Sequence, residues 1–244
     1  MKIAGVEFND EYGIVTQASG DSGDSSQRTA TLVNLLALTN RHLDAYYVYA
    51  LMMRNLKVSK GRYKRSSIPG FWGNDPTNFS RDQHSILRLS MAILGDKEEL
   101  KESTLEMLKR FCFHQNFLRG TDDPEKKWKL PDVMAPSEWS VIIRGLSLWP
   151  LYPVLLILDL GLVADLWLRK RNTWDYDNMM CQNLLFAVWK MPTPLSLWVF
   201  KRYYKTDWVM RVQHYHSPEK GGVAGLSALF VEAYLSTRRY LGYD

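Results

Sequence analysis

Cysteine is scarce in this chain. Of 244 residues only Cys112 and Cys181 are cysteines, each set in an apolar helical pattern, so buried free thiols in a reducing compartment are expected instead of a disulfide framework or a metal site. Charge of one sign is equally sparse in blocks. The net charge is +5 and the pI about 9.1, yet no run of five or six like charges occurs. Lys60-Gly61-Arg62-Tyr63-Lys64-Arg65 and Arg169-Lys170-Arg171 read as solvated faces, and no specific nucleic-acid partner is expected. Long hydrophobic runs are missing too. The most apolar stretch, Gly145 to Leu168, is interrupted by Pro150, Pro153, Asp159 and Asp165, and its uncharged part, Gly145 to Leu158, is shorter than the roughly 18 residues of a spanning helix. It predicts a buried central helix, not a membrane span.

The familiar chemical signatures are absent as well. There is no Gly-x-Gly-x-x-Gly after a strand, no P-loop, no nucleophile elbow and no His-Glu-x-x-His helix. Gly20-Asp21-Ser22-Gly23 has the wrong spacing for an activated serine. His214 and His216, flanking Tyr215, would chelate a metal only with a third and fourth ligand that no neighbouring motif supplies. No cofactor and no metal site are expected. The first residues lack the charged and apolar regions of a secretory signal, which predicts a cytoplasmic location, or a virion if the chain is phage-encoded.

What is present is apolar and aromatic. Apolar residues make up 46% and Trp, Tyr and Phe 13%, more aromatic surface than a small helical bundle needs for its interior, which predicts a surface or cleft lined by rings. No linker divides the chain, so a single domain over 1–244 is expected. Residues 1–24 read as an extended arm or short hairpin followed by a polar Gly/Ser/Asp loop. Apolar residues then recur at helical spacing over Gln27–Lys57 with a break near Asn40, and again over Arg81–Leu94, Lys97–Leu118, 137–148, 154–169, 175–190, 195–204 and 221–240. Residues 58–80 show no periodicity and read as a lid or rim. The class is all-α.

Three of these helices open on polar clusters: Asp24-Ser25-Ser26-Gln27-Arg28, Ser80-Arg81-Asp82-Gln83-His84 and Asp175-Tyr176-Asp177-Asn178. Capping accounts for one Ser or Asp at each start. It does not require the additional Gln, Arg, His and Asp. If the starts converge, they line a polar cleft in which Asp24, Asp82, Asp175 and Asp177 are candidate catalytic acids and bases for glycosidic cleavage. Asp21, Gln27, Arg28, Arg81 and Gln83 would bind the ligand, with Trp72, Trp174 and Tyr176 as stacking platforms. His114 reads as a core or boundary histidine; His42 and His84 take no role.

Polar helix starts gathered on one face of a multi-helix domain are similar to the α/α-toroid architecture of carbohydrate-active enzymes. That likeness implies a glycoside hydrolase-like helical domain with a glycan as its ligand. Separately, Asp75-Pro76-Thr77-Asn78-Phe79-Ser80-Arg81-Asp82-Gln83 and Pro192-Thr193-Pro194-Leu195-Ser196-Leu197-Trp198 resemble segments of uncharacterised bacterial and phage proteins, which implies no particular activity. The alternative is a non-enzymatic structural or assembly protein, such as a phage virion component. Its aromatics and N-terminal arm would contact protein subunits, and exposed apolar patches would take the place of a pocket.

Overall fold

A computed structural model describes residues 1–16, 25–70, 79, 81–112, 134–168, 174–203, 223 and 225–243, with only the backbone described at 81–82, 162–168, 174–178 and 202–203. The chain opens with three short antiparallel strands, β1 (Lys2–Ile3), β2 (Val6–Asn9) and β3 (Ile14–Val15), in the order β1-β2-β3. Their alternating side chains Ile3, Val6, Phe8, Ile14 and Val15 are all buried, so the expected arm is a small sheet docked on the helices. The Val15 amide fastens it by donating to Thr29 Oγ1 at 2.8 Å.

Two helices follow, α1 (Ser25–Leu38) and α2 (His42–Leu56), parted at Asn40, where φ is +62°. Every residue of α1 except Arg28 is buried. Its sequence has no charged residue after Arg28, and a helix without a solvated face belongs in the middle of a fold. In α2, Leu43, Tyr46 and Tyr47 are exposed while Ala45, Val48 and Met52 are buried, as in a peripheral helix.

The segment expected to be an irregular rim is partly regular. Strands β4 (Lys57–Ser59) and β5 (Arg62–Tyr63) pair as a hairpin. Strands of two and three residues are too short to show alternation. Their turn requires Gly61, which has φ +64° and lies so close to the next layer that an added Cβ would stand 2.6 Å from the Glu102 carbonyl oxygen.

The remaining helices are α3 (Arg81–Leu94), α4 (Lys97–Lys109), α5 (Pro136–Gly145), α6 (Tyr152–Leu168), α7 (Trp174–Lys190), α8 (Pro194–Tyr203) and α9 (Leu226–Tyr240). The architecture is mostly helical with two small sheets. Asp96 caps α4 by accepting from the Glu99 amide at 3.1 Å, and acids fill its first turn. That helix stops at Lys109, and Cys112 lies beyond it with φ +67°, half-buried and outside the helix that the sequence places it in; Cys181 is buried within α7, and both thiols are free. His114, His214 and His216 lie outside the described residues.

The apolar stretch at 145–168 is not a buried central helix. Leu151, Val154, Ile157 and Leu160 are exposed on or just before α6, as is Trp149, so the helix is peripheral and α1 takes the centre. What α6 buries is Asp159, fully covered and paired with the equally covered Arg144 of α5 at 2.7 Å. No described helix is long and apolar enough to cross a membrane. One hydrophobic cluster runs from Ile3 through α1, α3 and α7 to Tyr234 of α9.

Candidate functional site

The relative directions of the helices follow from a few contacts. In α3 and α5, Arg88 meets Glu138, and four residues on, Ala92 lies against Gly145, where an added Cβ would stand 2.7 Å from the Ala92 Cβ. The two helices therefore run in the same sense. Gly145 is required for this approach, because Leu100 is closer still at 2.5 Å. Arg144, in the last turn of α5, donates to the carbonyl of Met191 just past the end of α7 at 3.0 Å, so these two helices end together. At the start of α1 the Ser26 amide donates to the Arg65 carbonyl at 3.0 Å, and at the start of α3 the His84 ring packs edge-on to Tyr63 at 6.0 Å. Both helices thus begin beside β5. The starts of α1, α3 and α5 lie at one end of the molecule, and α7 runs with them.

Below that end the three central helices are joined by hydrogen-bonded polar side chains. Asn34 donates to Gln182 Oε1 at 2.8 Å and accepts from Ser90 Oγ at 2.8 Å, and Gln182 donates onward to Thr31 Oγ1 at 3.2 Å. These groups satisfy one another. Other buried groups are not satisfied. Among the described residues, the Gln27 amide and the hydroxyls of Ser26, Ser85 and Ser137, near the starts of α1, α3 and α5, have no hydrogen-bond partner, and neither end of the Asn183 amide, in the middle of α7, has one. Gln27 is 1% exposed and Asn183 3%. A buried polar group left unpaired costs about 1–3 kcal/mol, and native proteins carry few.

Between these groups sits a buried charged network. Arg88 donates from Nη1 to Glu138 Oε1 at 2.8 Å, from Nε to Ser103 Oγ at 3.0 Å, and approaches His84 Nδ1 with Nη2 at 3.4 Å. Glu138 Oε2 accepts from the Ala135 amide at 2.8 Å, half of a capping box behind Pro136. Burial pushes the Arg88 guanidinium down and the adjacent Glu138 carboxylate opposes it. Tyr63 is pushed up by burial and by the Glu99 carboxylate, which accepts from its hydroxyl at 2.5 Å. The phenol stays protonated. With Arg88 matched by Glu138, the described buried groups of this end present amides and hydroxyls, not a net charge.

The residues picked out from the sequence fall out unevenly. Gln27 and Gln83 are buried in the first turns of α1 and α3, and Arg28 is half-buried beside Gln27. Arg81 and Asp82 are on the first turn of α3, and Trp174, Asp175, Tyr176 and Asp177 on the first turn of α7, described in backbone only; Asp21, Asp24 and Trp72 lie outside the described residues. Sequence reasoning missed Ser85, Arg88, Ser137, Glu138 and Asn183. A signal for such groups exists in α1, where Gln27, Thr31 and Asn34 recur at helical spacing within an otherwise apolar helix.

One open groove elsewhere is lined by Lys60, Glu98, Lys101, Glu102, Leu105, Glu106 and Lys109. Its charges are mutually compensated: Lys57 and Lys60 pair with Glu102, and Arg110 with Glu106. It is a solvated face. Among the described residues no cluster of three or more His, Cys, Asp or Glu is placed to hold a metal ion. Comparison with family models, curated proteins and solved structures gives no match.

Proposed function

We propose that this protein binds carbohydrate in a polar cleft formed by the N-terminal ends of α1, α3, α5 and α7, in a toroid-like arrangement of helices. The observation that carries the reading is the set of buried groups near the starts of α1, α3 and α5, the Gln27 amide and the hydroxyls of Ser26, Ser85 and Ser137, which have no hydrogen-bond partner among the described residues. An amide left this way matches a ligand that also donates and accepts, and a sugar hydroxyl does both. Phosphate or carboxylate would call for unmatched cations, whereas Arg88 is already neutralised by Glu138.

Cleavage is the further step of the same reading. Asp82, Asp175 and Asp177 are on first turns at this end, with Asp24 immediately before Ser25. Two such carboxyls about 5–5.5 Å apart would retain anomeric configuration, and about 6.5–9.5 Å apart would invert it. The test is to incubate the purified chain with oligosaccharides that it retains on a glycan array and follow products by NMR. Cleavage lost in Asp82→Asn or Asp175→Asn with binding intact is the expected result; no retained saccharide overturns the reading.

A specific observation favours a second reading, that of an assembly protein. Trp149, Ile157 and Leu160 on and beside α6, and Trp198 on α8, are large apolar side chains between 46% and 68% exposed, as subunit contacts would be. Native mass by light scattering separates the two: a large symmetric oligomer with no glycan ligand favours assembly.

A further inference from the structure

Helix α2 carries no charged residue between Asp44 in its first turn and Arg54 in its last. From Leu43 onward its outer surface is Leu43, Asp44, Tyr46, Tyr47, Ala50 and Arg54, all exposed. Leu43, Tyr47, Ala50 and Arg54 follow one another at steps of four, three and four, the spacing by which one helix packs lengthwise on another. The Tyr46 hydroxyl donates to the Leu94 carbonyl at 3.0 Å, and the Tyr47 hydroxyl is turned to Met1 Sδ at 3.8 Å. Both phenolic protons are thus committed within the chain, and ring carbon is what these tyrosines offer outward. Among the described residues neither Asp44 nor Arg54 makes an ion pair. Each suits the dipole at its own end of the helix, but that does not account for the exposed apolar residues between them.

We propose that this face binds a second copy of the same chain, the two α2 helices lying antiparallel across a two-fold axis. Helical rise places Asp44 and Arg54 at equal distances, about 7.5 Å, on either side of mid-helix. A two-fold axis at that point brings Asp44 of each copy level with Arg54 of the other, giving two ion pairs that neither chain makes alone. Tyr47 and Ala50 are symmetric about the same point to within about 1 Å, so the ring of each copy meets the small side chain of the other, where the backbone leaves room for it. A parallel pairing would instead set Asp44 against Asp44 and Arg54 against Arg54. The inference stands apart from the carbohydrate reading and uses none of the residues at the helix-start end.

The experiment is sedimentation equilibrium of the full-length chain over a range of micromolar concentrations, with circular dichroism to check that each variant is folded. Wild type is expected at twice the 28.4 kDa of one chain. Asp44→Arg and Arg54→Asp each set like charges across the two-fold axis and are expected to weaken association roughly tenfold. Asp44→Arg/Arg54→Asp exchanges the two signs and is expected to restore it to near the wild-type value. Leu43→Lys, at a position 87% exposed and therefore without packing to lose within the chain, adds a cation level with Arg54 of the other copy and is expected to weaken association as well. A single-chain mass at the highest concentration overturns the proposal. So does a wild-type dimer that none of these variants weakens, which would place the interface elsewhere, and so do weakened single variants that the double exchange fails to restore.

Discussion

Asn34 of α1 and Gln182 of α7, 148 positions apart in the chain, share a hydrogen bond of 2.8 Å in the core. It belongs to a closed set with Thr31 and Ser90. Gln27, near the start of α1, and Asn183, next to Gln182 on α7, carry the same chemical groups at the same depth of burial and make no such bonds among the described residues. Two sets of similar composition therefore differ in whether their hydrogen bonds are made.

That contrast is measurable. Asn34→Leu removes the hydrogen bonds to Gln182 Oε1 and from Ser90 Oγ and is expected to cost about 1–3 kcal/mol in urea unfolding. Gln27→Met and Asn183→Leu remove groups that have no partner and are expected to be neutral or stabilising by about 1 kcal/mol. A comparable loss in all three would mean that the two sets are not different.

The Arg144–Asp159 pair predicts another asymmetry. Both side chains are fully buried, and Asp159 also accepts from Thr193 Oγ1 at 2.5 Å. Asp159→Ala strands a buried guanidinium and is expected to cost about 3–5 kcal/mol. Arg144→Met/Asp159→Leu is expected to be far less destabilised, read from the urea midpoints of wild type and the two variants.

At Gly145 the prediction is steric. A methyl group there would press on Leu100 Cδ2 and the Ala92 Cβ, so Gly145→Ala is expected to cost about 1–3 kcal/mol despite alanine's better helix propensity. Ala92→Gly in the same chain is expected to return part of it. Thermal unfolding that shows Gly145→Ala to be stabilising would contradict the close approach of α3 and α5.

The surface pair Lys57–Glu102 gives a pH dependence. Burial works to raise the Glu102 carboxyl, but the hydrogen bond and charge of Lys57, with Lys60 beside it, hold it below its ordinary 4.5. Burial works to lower the Lys57 ammonium, but Glu99 and Glu102 hold it above its ordinary 10.5. The carboxylate's contribution is present above 4.5 and lost as pH falls through the depressed value; the ammonium's is present below 10.5 and lost as pH rises through the raised one. The difference in urea midpoint between wild type and Glu102→Gln is expected at neutral pH and should vanish once the pH has fallen below the depressed carboxyl value, and it should shrink with salt.

Much of the helical order was legible because it rests on local periodicity. The break at Asn40, the span Arg81–Leu94 and the Pro-led starts of α5 and α8 are readable from spacing and from proline alone. What was not legible depends on neighbours. Whether 145–168 lies at the centre or the periphery turns on α1 having no polar face to give to solvent, a comparison between two helices that neither stretch reveals by itself. The polar starts of α1 and α3 could be read as a site. Arg88 and Glu138 could not, since their pairing joins positions 50 apart, and a lone Arg within a helix reads as surface until its partner is known.

The most direct test of the account is a glycan-array screen of the purified chain beside Gln27→Met and Asn34→Leu, each scored for binding and for urea midpoint. The account predicts that wild type retains a defined saccharide, that Gln27→Met loses it with stability unchanged or raised, and that Asn34→Leu loses stability first. Binding by Gln27→Met equal to wild type, or no saccharide bound by wild type, would contradict it.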